Sequence, residues 1–332
     1  MEKMGLKKLT GTLCVVFALF LVLPLSGECA DKILKIGIAQ FITHPSLDLA
    51  LKGFIDQMAE EGFVDGKNVK YEQSNAEADM SLAQSIARKF VSQKVDMIQS
   101  ITTPMSQACV AAVRGKDIPI VFSAVTDPVK GQLVDSWDKP GGKVTGVSDW
   151  MDVESQISLI LDIMPNVKRI GVLYNPGEIN SQVQVAELKK AAKNLGIEKV
   201  VEGSVPSTSD ALVAAKSLVG RADAIWIPTD STTVSALEAI SKICQEYDLP
   251  LFGSDVNMVP RGVIAAKGLN MYDLGKDAGR IAARVLRNEN PANIPIMKAE
   301  MKDLWVDPKM AEDMGIKIPK EVMDKATKII TD

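Results

Sequence analysis

The chain has 332 residues, of which 46% are hydrophobic, and a formal net charge of -4. This length and apolar content suffice for two domains with ordinary cores. Aromatic residues make up only 5% of the chain, and no basic run occurs beyond the N-terminus. Both features argue against a positively charged surface with stacking side chains, so we expect no nucleic-acid partner.

The first thirty residues form a separate segment. Three lysines precede an apolar run at 13–25, which is too short for a membrane span and has the length of a signal-peptide core. We therefore predict a signal peptide over 1–30 and a periplasmic protein. The alternatives are a retained N-terminal anchor and a lipid on Cys29, although Glu28 stands where a lipoprotein signal has a small residue.

Apolar strand patterns and amphipathic helix patterns alternate along the rest of the chain, which predicts an α/β fold with parallel, doubly wound sheets. The predicted strands are, in chain order, 33–39, 68–72, 96–101, 119–122, 144–147, 169–174, 198–204 and 263–266. The predicted helices are 45–61, 80–92, 105–114, 153–163, 181–195, 209–219 and 273–287. The chain closes with an extended stretch at 294–301 and two short segments at 308–314 and 320–328.

A Pro-Gly-Gly sequence at 140–142 interrupts this alternation, which restarts after a short strand. The interruption predicts two α/β lobes with a junction near 146–149. The late helix that follows Met271 is predicted to return to the first lobe.

One stretch of the sequence occurs twice, at 95–127 and at 222–255. Each copy has the pattern of a strand with a polar end, a helix, and a second strand with a polar end. Strand and helix periodicities alone make any two such units look alike, and this is the alternative explanation. The polar and proline matches go beyond periodicity, and they are Asp96 with Asp223, Thr102 with Thr229, Ser106 with Ser235, Pro119 with Pro250, and Ser123 with Ser254.

The sequence contains no recognisable catalytic or cofactor-binding set. His44 is the only histidine, and no cysteine or histidine is spaced as a metal ligand. Neither the G-x-S-x-G motif of hydrolases nor a glycine-rich phosphate loop is present. We therefore expect a protein that is not an enzyme and that holds no metal and no cofactor.

Cys109 and Cys244 lie in opposite copies of the repeat, as the two cysteines of a two-cysteine amino-acid racemase would. Both fall within helix patterns and not at strand ends, however. We therefore expect them to be small core residues in separate lobes.

Polar and aromatic side chains follow the predicted strands, and ligands of open α/β sheets bind outside the carboxyl ends of strands. Hydroxyls beside helix starts suit a carboxylate, acidic side chains suit an ammonium group, and aromatic rings cover an apolar side chain. Each Ser, Thr or Asp is alternatively a simple helix cap. The predicted ligand-binding residues are Gln40, Phe41, Thr102, Thr103, Thr126, Asp127, Asp149, Trp150, Asn175, Asn180, Ser181, Thr229, Asp230, Ser254 and Asp255.

Several of these segments resemble the substrate-binding proteins of ABC transporters, in the family that includes tryptophan- and tyrosine-binding members. The resemblance runs over about 33–330. Its segments are KIGIAQFITHPSLDLALKGF, IPIVFSAVTDPV, GGKVTGVSDW, IGVLYNPGEINSQVQ, IWIPTDSTTVSALEA and GLNMYDLGKDAGRIAARVL.

The resemblance implies a type I periplasmic-binding-protein fold, with two Rossmann-like lobes of parallel sheets joined by a hinge of crossing strands. The implied N-terminal lobe is 31–147 plus about 271–290, and the C-terminal lobe is 148–270 plus about 291–332. The implied function is capture of an amino acid, with an aromatic one favoured, by hinge closure of a monomer, and its delivery to a membrane permease.

Two questions stay open at this point. A ligand-sensing periplasmic domain that signals to a membrane receptor would have the same fold. Branched aliphatic amino acids, small peptides and other carboxylates are alternative ligands.

Overall fold

The structure is a computed structural model that describes residues 32–331. The predicted signal peptide at 1–30, with Cys29, lies outside the described residues. Within the part of the chain that is described, no helix is long and apolar enough to cross a membrane.

Strands and helices alternate through the described chain. The strands are β1 (Leu34–Gln40), β2 (Val69–Asn75), β3 (Met97–Ile101), β4 (Ile120–Val125), β5 (Val144–Ser148), β6 (Arg169–Tyr174), β7 (Lys199–Ser204), β8 (Ala224–Ile227), β9 (Leu251–Gly253), β10 (Ala265–Gly268), β11 (Met297–Lys298), β12 (Asp303–Val306) and β13 (Lys328–Ile329). The α-helices are α1 (Pro45–Glu60), α2 (Met80–Gln93), α3 (Thr103–Ala112), α4 (Val153–Ile163), α5 (Ile179–Asn194), α6 (Ala211–Leu218), α7 (Ser231–Ser235), α8 (Leu237–Glu246), α9 (Met271–Leu286), α10 (Pro308–Asp313) and α11 (Lys320–Met323). Three short 3₁₀ helices span Thr208–Asp210, Val256–Arg261 and Pro291–Asn293.

The strands form two separate sheets with the same central order. The first sheet runs β2-β1-β3-β4-β5-β11 and is parallel throughout. The second runs β7-β6-β8-β9-β10-β12-β13 and is parallel except where β10 pairs with β12. The strand order reverses once in each sheet, between β1 and β3 in the first sheet and between β6 and β8 in the second. Such switch points leave a crevice at the carboxyl ends of the strands.

The two copies of the repeat occupy equivalent places in the two sheets. The first copy forms β3, α3 and β4, and the second forms β8, the helix pair α7 and α8, and β9. The single helix expected in the second copy is thus divided into two, with a break at Ala236.

The buried apolar side chains form two cores, one on each sheet, and each core with its sheet is called a lobe here. Phe54 and Phe122 lie in the core of the first lobe, and Trp226 and Phe252 lie in that of the second. Helix α9 packs on α1 and contributes to the first core, and the segment around Ile294 does the same.

Both described cysteines are buried and unoxidised, with Cys109 in the first core and Cys244 in the second. Burial raises the pKa of each thiol to about 12, which suppresses the reactive thiolate. The prediction that they are core residues of separate lobes is confirmed.

The chain crosses between the lobes three times. The crossings are short irregular segments at 149–152, 269–270 and 299–302, each of which directly follows a strand. Each crossing therefore begins at the carboxyl end of a strand, on the side of the sheets where the two lobes meet.

Glycines allow α1 and α9 to approach each other closely. A Cβ atom on Gly275 would lie 1.9 Å from the carbonyl oxygen of Ala50, and one on Gly53 would lie 2.0 Å from that of Tyr272. Both distances are far shorter than a van der Waals contact. The carbonyl oxygens belong to helix backbones, which cannot move aside as a flexible side chain would. Any larger residue must therefore separate the two helices.

We expect Gly275→Ala to lower the free energy of unfolding by about 1–3 kcal/mol, because overpacking outweighs the better helix propensity of alanine. Urea denaturation measures the change. Ser81→Ala, at an exposed position of α2, serves as the control and is expected to change stability by less than about 0.5 kcal/mol. Equal stability of Gly275→Ala and the parent protein would contradict this packing.

Candidate functional site

A narrow cavity of about 30 Å³ lies where the carboxyl ends of the two sheets face each other. The first lobe contributes Ala124 of β4 and residues that follow β1, β3 and β5, and the second lobe contributes residues that follow β6, β8 and β9. The lining residues are His44, Ser46, Leu47, Thr102, Ala124, Asp149, Asn180, Thr229, Asp230, Ser231, Val234, Asp255 and Met271.

The structure brings part of the predicted site together in this cavity. The predicted residues that line it are Thr102, Asp149, Asn180, Thr229, Asp230 and Asp255. Three more contact the lining: the hydroxyl oxygen of Thr126 lies 3.4 Å from that of Thr229, while the backbone amide of Asn175 and the hydroxyl of Ser181 donate to Asp230.

The other predicted residues have different contacts. Gln40 donates to the carbonyl of Ile42 at 2.9 Å and to Asp48 at 3.0 Å. Asp127 accepts from two backbone amides of the turn that follows it, and Trp150 packs edge-on against Trp137. Phe41 lies in the first core, and Thr103 and Ser254 are buried without lining the cavity.

Three aspartates line the cavity, and no lysine or arginine is among its described lining residues. Burial raises the pKa of Asp149 to about 6, and the hydroxyls of Thr126 and Thr229 oppose this by hydrogen bonding. Burial also raises the pKa of Asp255 to about 6, with a smaller contribution from the charge of Asp149. The two carboxylates therefore lie close enough to repel each other in a site of low polarity.

Asp230 is fully buried and makes three hydrogen bonds within the second lobe. It accepts from the backbone amides of Asn175 and Thr233 at 2.7 Å each and from the hydroxyl of Ser181. These bonds fix the carboxylate at the start of α7, because Asp230 is the N-cap of that helix. Burial nevertheless raises its pKa.

Glu178 is a site residue that the sequence analysis missed. Its carboxylate accepts from the hydroxyl of Thr232 at 2.8 Å and from the backbone amides of Ser231 and Thr232 at 3.2 Å. Burial raises the pKa of Glu178 to about 7, and the charge of Asp230 adds to this effect. The two acids therefore form a buried pair in which like charges favour retention of a proton.

His44 caps the start of α1, where its Nδ1 accepts from the backbone amide of Leu47 at 3.4 Å. Burial, aided by the charge of Arg261, lowers the pKa of His44 to about 3. The imidazole is therefore neutral at ordinary pH, and its proton is on Nε2. It contributes a hydrogen-bond donor to the cavity wall and no positive charge.

Four buried polar atoms of the cavity wall lack a hydrogen-bond partner. They are the hydroxyl oxygens of Ser46 and Thr102, Oδ1 of Asp149 and Oδ1 of Asn180. Leaving such an atom unpaired costs about 1–3 kcal/mol, so most buried polar atoms have partners. Their presence in one cavity makes this cavity the candidate binding site.

Backbone strain is found in the same wall. Thr102 has a φ of 84° and Ala124 a φ of 53°, and both values lie in the left-handed region that favours glycine. Non-glycine residues in such conformations are concentrated at functional sites. Thr102 is the N-cap residue of α3, where its side chain makes no capping hydrogen bond, and it lines the cavity.

A larger, open depression of about 560 Å³ lies elsewhere, on the surface of the second lobe near the crossings. Its wall mixes acidic residues such as Asp162 with lysines such as Lys267. None of the predicted ligand-binding residues lines it. The smaller cavity is the better candidate because the polar strand ends of both sheets converge there.

In the closed conformation, we expect the contribution of Asp149 to stability to fall as the pH rises from about 4 to 7, so that Asp149→Asn gains stability relative to the parent protein over this range. The folded-state pKa of Asp149, about 6, lies above its usual value of 3.8, so the native state holds the proton more tightly than the unfolded chain. The resulting stabilisation is complete below the unfolded pKa and is lost as the pH rises through about 6.

Urea denaturation of both proteins at about pH 5 and pH 7.5 tests this, and Asp149→Asn should be more stable than the parent by about 1–3 kcal/mol at the higher pH. The exposed substitution Asp162→Asn is the control. Destabilisation by Asp149→Asn at pH 7.5 would contradict the charge burial.

Comparisons with known proteins agree with this geometry. A family profile described as ABC transporter substrate binding protein matches residues 35–330. The chain is 41% identical over 273 residues to a tyrosine-binding protein of Clostridioides difficile, covering 82% of this chain and 78% of that protein.

Solved structures also match at high similarity. A domain from Streptococcus pneumoniae in complex with L-Trp is 36% identical, with a TM-score of 0.86 over 90% of this chain and all (100%) of that one. The ligand-free, open structure of a substrate-binding protein with adhesive properties from Clostridium difficile is also 36% identical over the same shares, with a TM-score of 0.68.

A solute-binding protein from Bacillus halodurans with bound myo-inositol shares the fold at 16% identity, with a TM-score of 0.60 over 89% of this chain and 97% of that one. The predicted type I periplasmic-binding-protein fold is thereby confirmed. The predicted family is confirmed as well, because its profile spans nearly all described residues. The chain belongs to the family of ABC transporter substrate-binding proteins.

Proposed function

We propose that this protein is the extracytoplasmic solute-binding protein of an ABC importer and that it captures an aromatic amino acid between its lobes. The ligand is held by closure of the lobes about the three crossings and is passed to a membrane permease. The protein acts as a monomer and catalyses no reaction. The observation that carries the proposal is a buried cavity between the sheets whose acidic wall has unpaired polar atoms on both lobes.

The polar wall suits a zwitterion. An ammonium group donates to Oδ1 of Asp149 and to Oδ1 of Asn180, both of which lack donors. A carboxylate accepts from the unpaired hydroxyls of Ser46 and Thr102, which lie at the starts of α1 and α3. Helix starts favour negative charge, so the neutral part of the wall binds the carboxylate of the ligand and the acidic part binds its ammonium group.

The apolar part of the wall suits a hydrocarbon side chain. Leu47, Val234 and Met271 contribute apolar surface to the same cavity. The similarity of this chain to a tyrosine-binding protein and to a domain in complex with L-Trp favours an aromatic ring.

Closure is supported by the pattern of structural similarity. At the same 36% identity, the chain resembles the L-Trp complex more closely than the ligand-free, open structure. Ligand contacts on both lobes favour the closed state, because a ligand shifts a conformational equilibrium by its difference in affinity for the two states.

We place the hinge at the crossings and assign 33–148 and 269–299 to the first lobe, because Ile294 and Ala299 pack in its core. The remainder, 152–268 and 303–331, forms the second lobe. We also propose that 1–30 is a cleaved signal peptide that directs the protein out of the cytoplasm, in line with the family's role.

Isothermal titration calorimetry is expected to detect binding of L-tryptophan or L-tyrosine. Asp149→Asn should weaken the affinity by about thirtyfold or more, because it removes the buried partner of the ammonium group. Asp162→Asn, which lies away from the cavity, should bind as the parent does.

The same variant is predicted above to be more stable without ligand. A gain in stability together with a loss of affinity separates ligand contact from damage to the fold. Equal affinity of Asp149→Asn and the parent protein would contradict the assignment of Asp149 to the ammonium site.

Small-angle X-ray scattering is expected to show a smaller radius of gyration when L-tryptophan is added to the ligand-free protein. The reduction follows from the lobes moving together about the crossings. An unchanged radius at a ligand concentration that calorimetry shows to be saturating would argue for a rigid protein.

A further inference from the structure

We propose that Gln184 is a positioning residue that couples lobe closure to ligand capture, by holding Thr126 of the first lobe and Thr229 of the second against Asp149. This inference rests on the proposed function. Gln184 does not line the cavity, and it lies inside α5 and not at a strand end. Its action on the ligand is therefore indirect.

The side-chain amide of Gln184 is buried, and both its oxygen and its nitrogen make hydrogen bonds. Its oxygen accepts from the backbone amide of Thr229 at 3.0 Å. Its nitrogen donates to the hydroxyl of Thr229 and, at 3.3 Å, to the hydroxyl of Thr126. Because an amide nitrogen has two hydrogens, both donations are made at once, and the orientation of the amide is determined.

These contacts link the two lobes directly. Gln184 belongs to α5 of the second lobe, whereas Thr126 directly follows β4 of the first lobe. The hydroxyls of Thr126 and Thr229 lie 3.4 Å apart across the boundary. Rotation of one lobe away from the other would separate Thr126 from both partners, so the cluster forms only when the lobes are together.

The hydrogen bonds have one consistent direction. A threonine hydroxyl that accepts from the amide of Gln184 has its own hydrogen free to donate. Asp149 lies beside this cluster, because its backbone amide donates to the carbonyl of Val125, next to Thr126, at 3.2 Å and because it lines the cavity together with Thr229. In this position the two hydroxyls oppose the effect of burial on the pKa of Asp149 and favour its charged form. Asp149 Oδ1 meanwhile lacks a partner. Closure thus aligns two donors behind the carboxylate, and its free oxygen is left for the ligand.

A ligand ammonium group and the Gln184 cluster consequently favour the same state of Asp149, which is the ionised one. Charged hydrogen bonds in a buried site strengthen one another. Loss of the amide should weaken binding of an ammonium ligand even though no ligand contact is removed. This weakening depends on the presence of Asp149. If Gln184 only helped to pack α5, its loss would weaken binding to the same extent with or without Asp149.

A double-mutant cycle tests the coupling, with Gln184→Met and Asp149→Asn measured alone and together by calorimetry with L-tryptophan. Gln184→Met keeps the length of the side chain and removes both donors. We expect it to weaken binding by about tenfold in the parent protein and by less than about twofold in the Asp149→Asn background. Gln182→Met, at an exposed position two residues away on α5, should leave affinity unchanged.

Two results would overturn the inference. Unchanged affinity of Gln184→Met would show that the cluster does not matter for binding. An equal loss in both backgrounds would show that Gln184 acts without Asp149. If the parent protein binds no amino acid, the proposed function fails and this inference fails with it, whereas failure of the cycle alone leaves the proposed function intact.

Two further measurements keep the test decisive. If Gln184→Met does not fold, Thr126→Val removes one hydroxyl from the first lobe and should give the same pattern in the cycle. If the Asp149→Asn proteins bind too weakly for calorimetry, the cycle is measured by the rise in the urea midpoint that an excess of L-tryptophan produces in each protein. Additive shifts of the urea midpoints would then contradict the coupling, and non-additive shifts would support it.

Discussion

Four carboxylates, those of Asp149, Glu178, Asp230 and Asp255, are buried where the two sheets face each other. No lysine or arginine is among the described lining residues, and the charge of Arg261, outside the lining, opposes the rise in pKa only at Asp255. Burial raises the pKa of each, so the fold maintains these charges at a cost. That cost explains why the surrounding hydroxyls and helix starts are directed at the carboxylates, and it favours a ligand that brings positive charge.

The topology makes this arrangement possible. Two sheets with the same strand order place their switch points opposite each other, and short crossings keep the carboxyl ends together. The close approach of α1 and α9 through Gly53 and Gly275 ties the returning chain to the first lobe. The two chain segments of the first lobe thereby share one core.

Much of this fold could be predicted from the sequence, because long buried strands and amphipathic helices leave strong periodic patterns. Strands of two residues leave no such pattern: β13 was not predicted as a strand, and β11 was predicted only as part of the extended stretch at 294–301. The site was predictable where local pattern and topology coincide, as at Thr102 and Thr229, which end equivalent strands of the repeat.

Other site residues depend on contacts that are distant in the sequence. Glu178 follows a Pro-Gly pair typical of a surface turn, and its burial comes from backbone amides more than fifty residues later, at Ser231 and Thr232. Gln184 lies inside a helix, where a polar residue is usually solvated, and its partner Thr126 is in the other lobe. Asp127 was predicted in the cleft, but its contacts are with the turn that follows it.

The central claim is that the buried acidic wall receives the ammonium group of an amino acid between two closed lobes. A crystal structure of the complex with L-tryptophan tests it most directly. The account predicts the ammonium nitrogen within hydrogen-bonding distance of Asp149 and the carboxylate near Ser46 and Thr102. A ligand bound in this cavity with its carboxylate toward Asp149, or bound outside the cavity, would contradict the account.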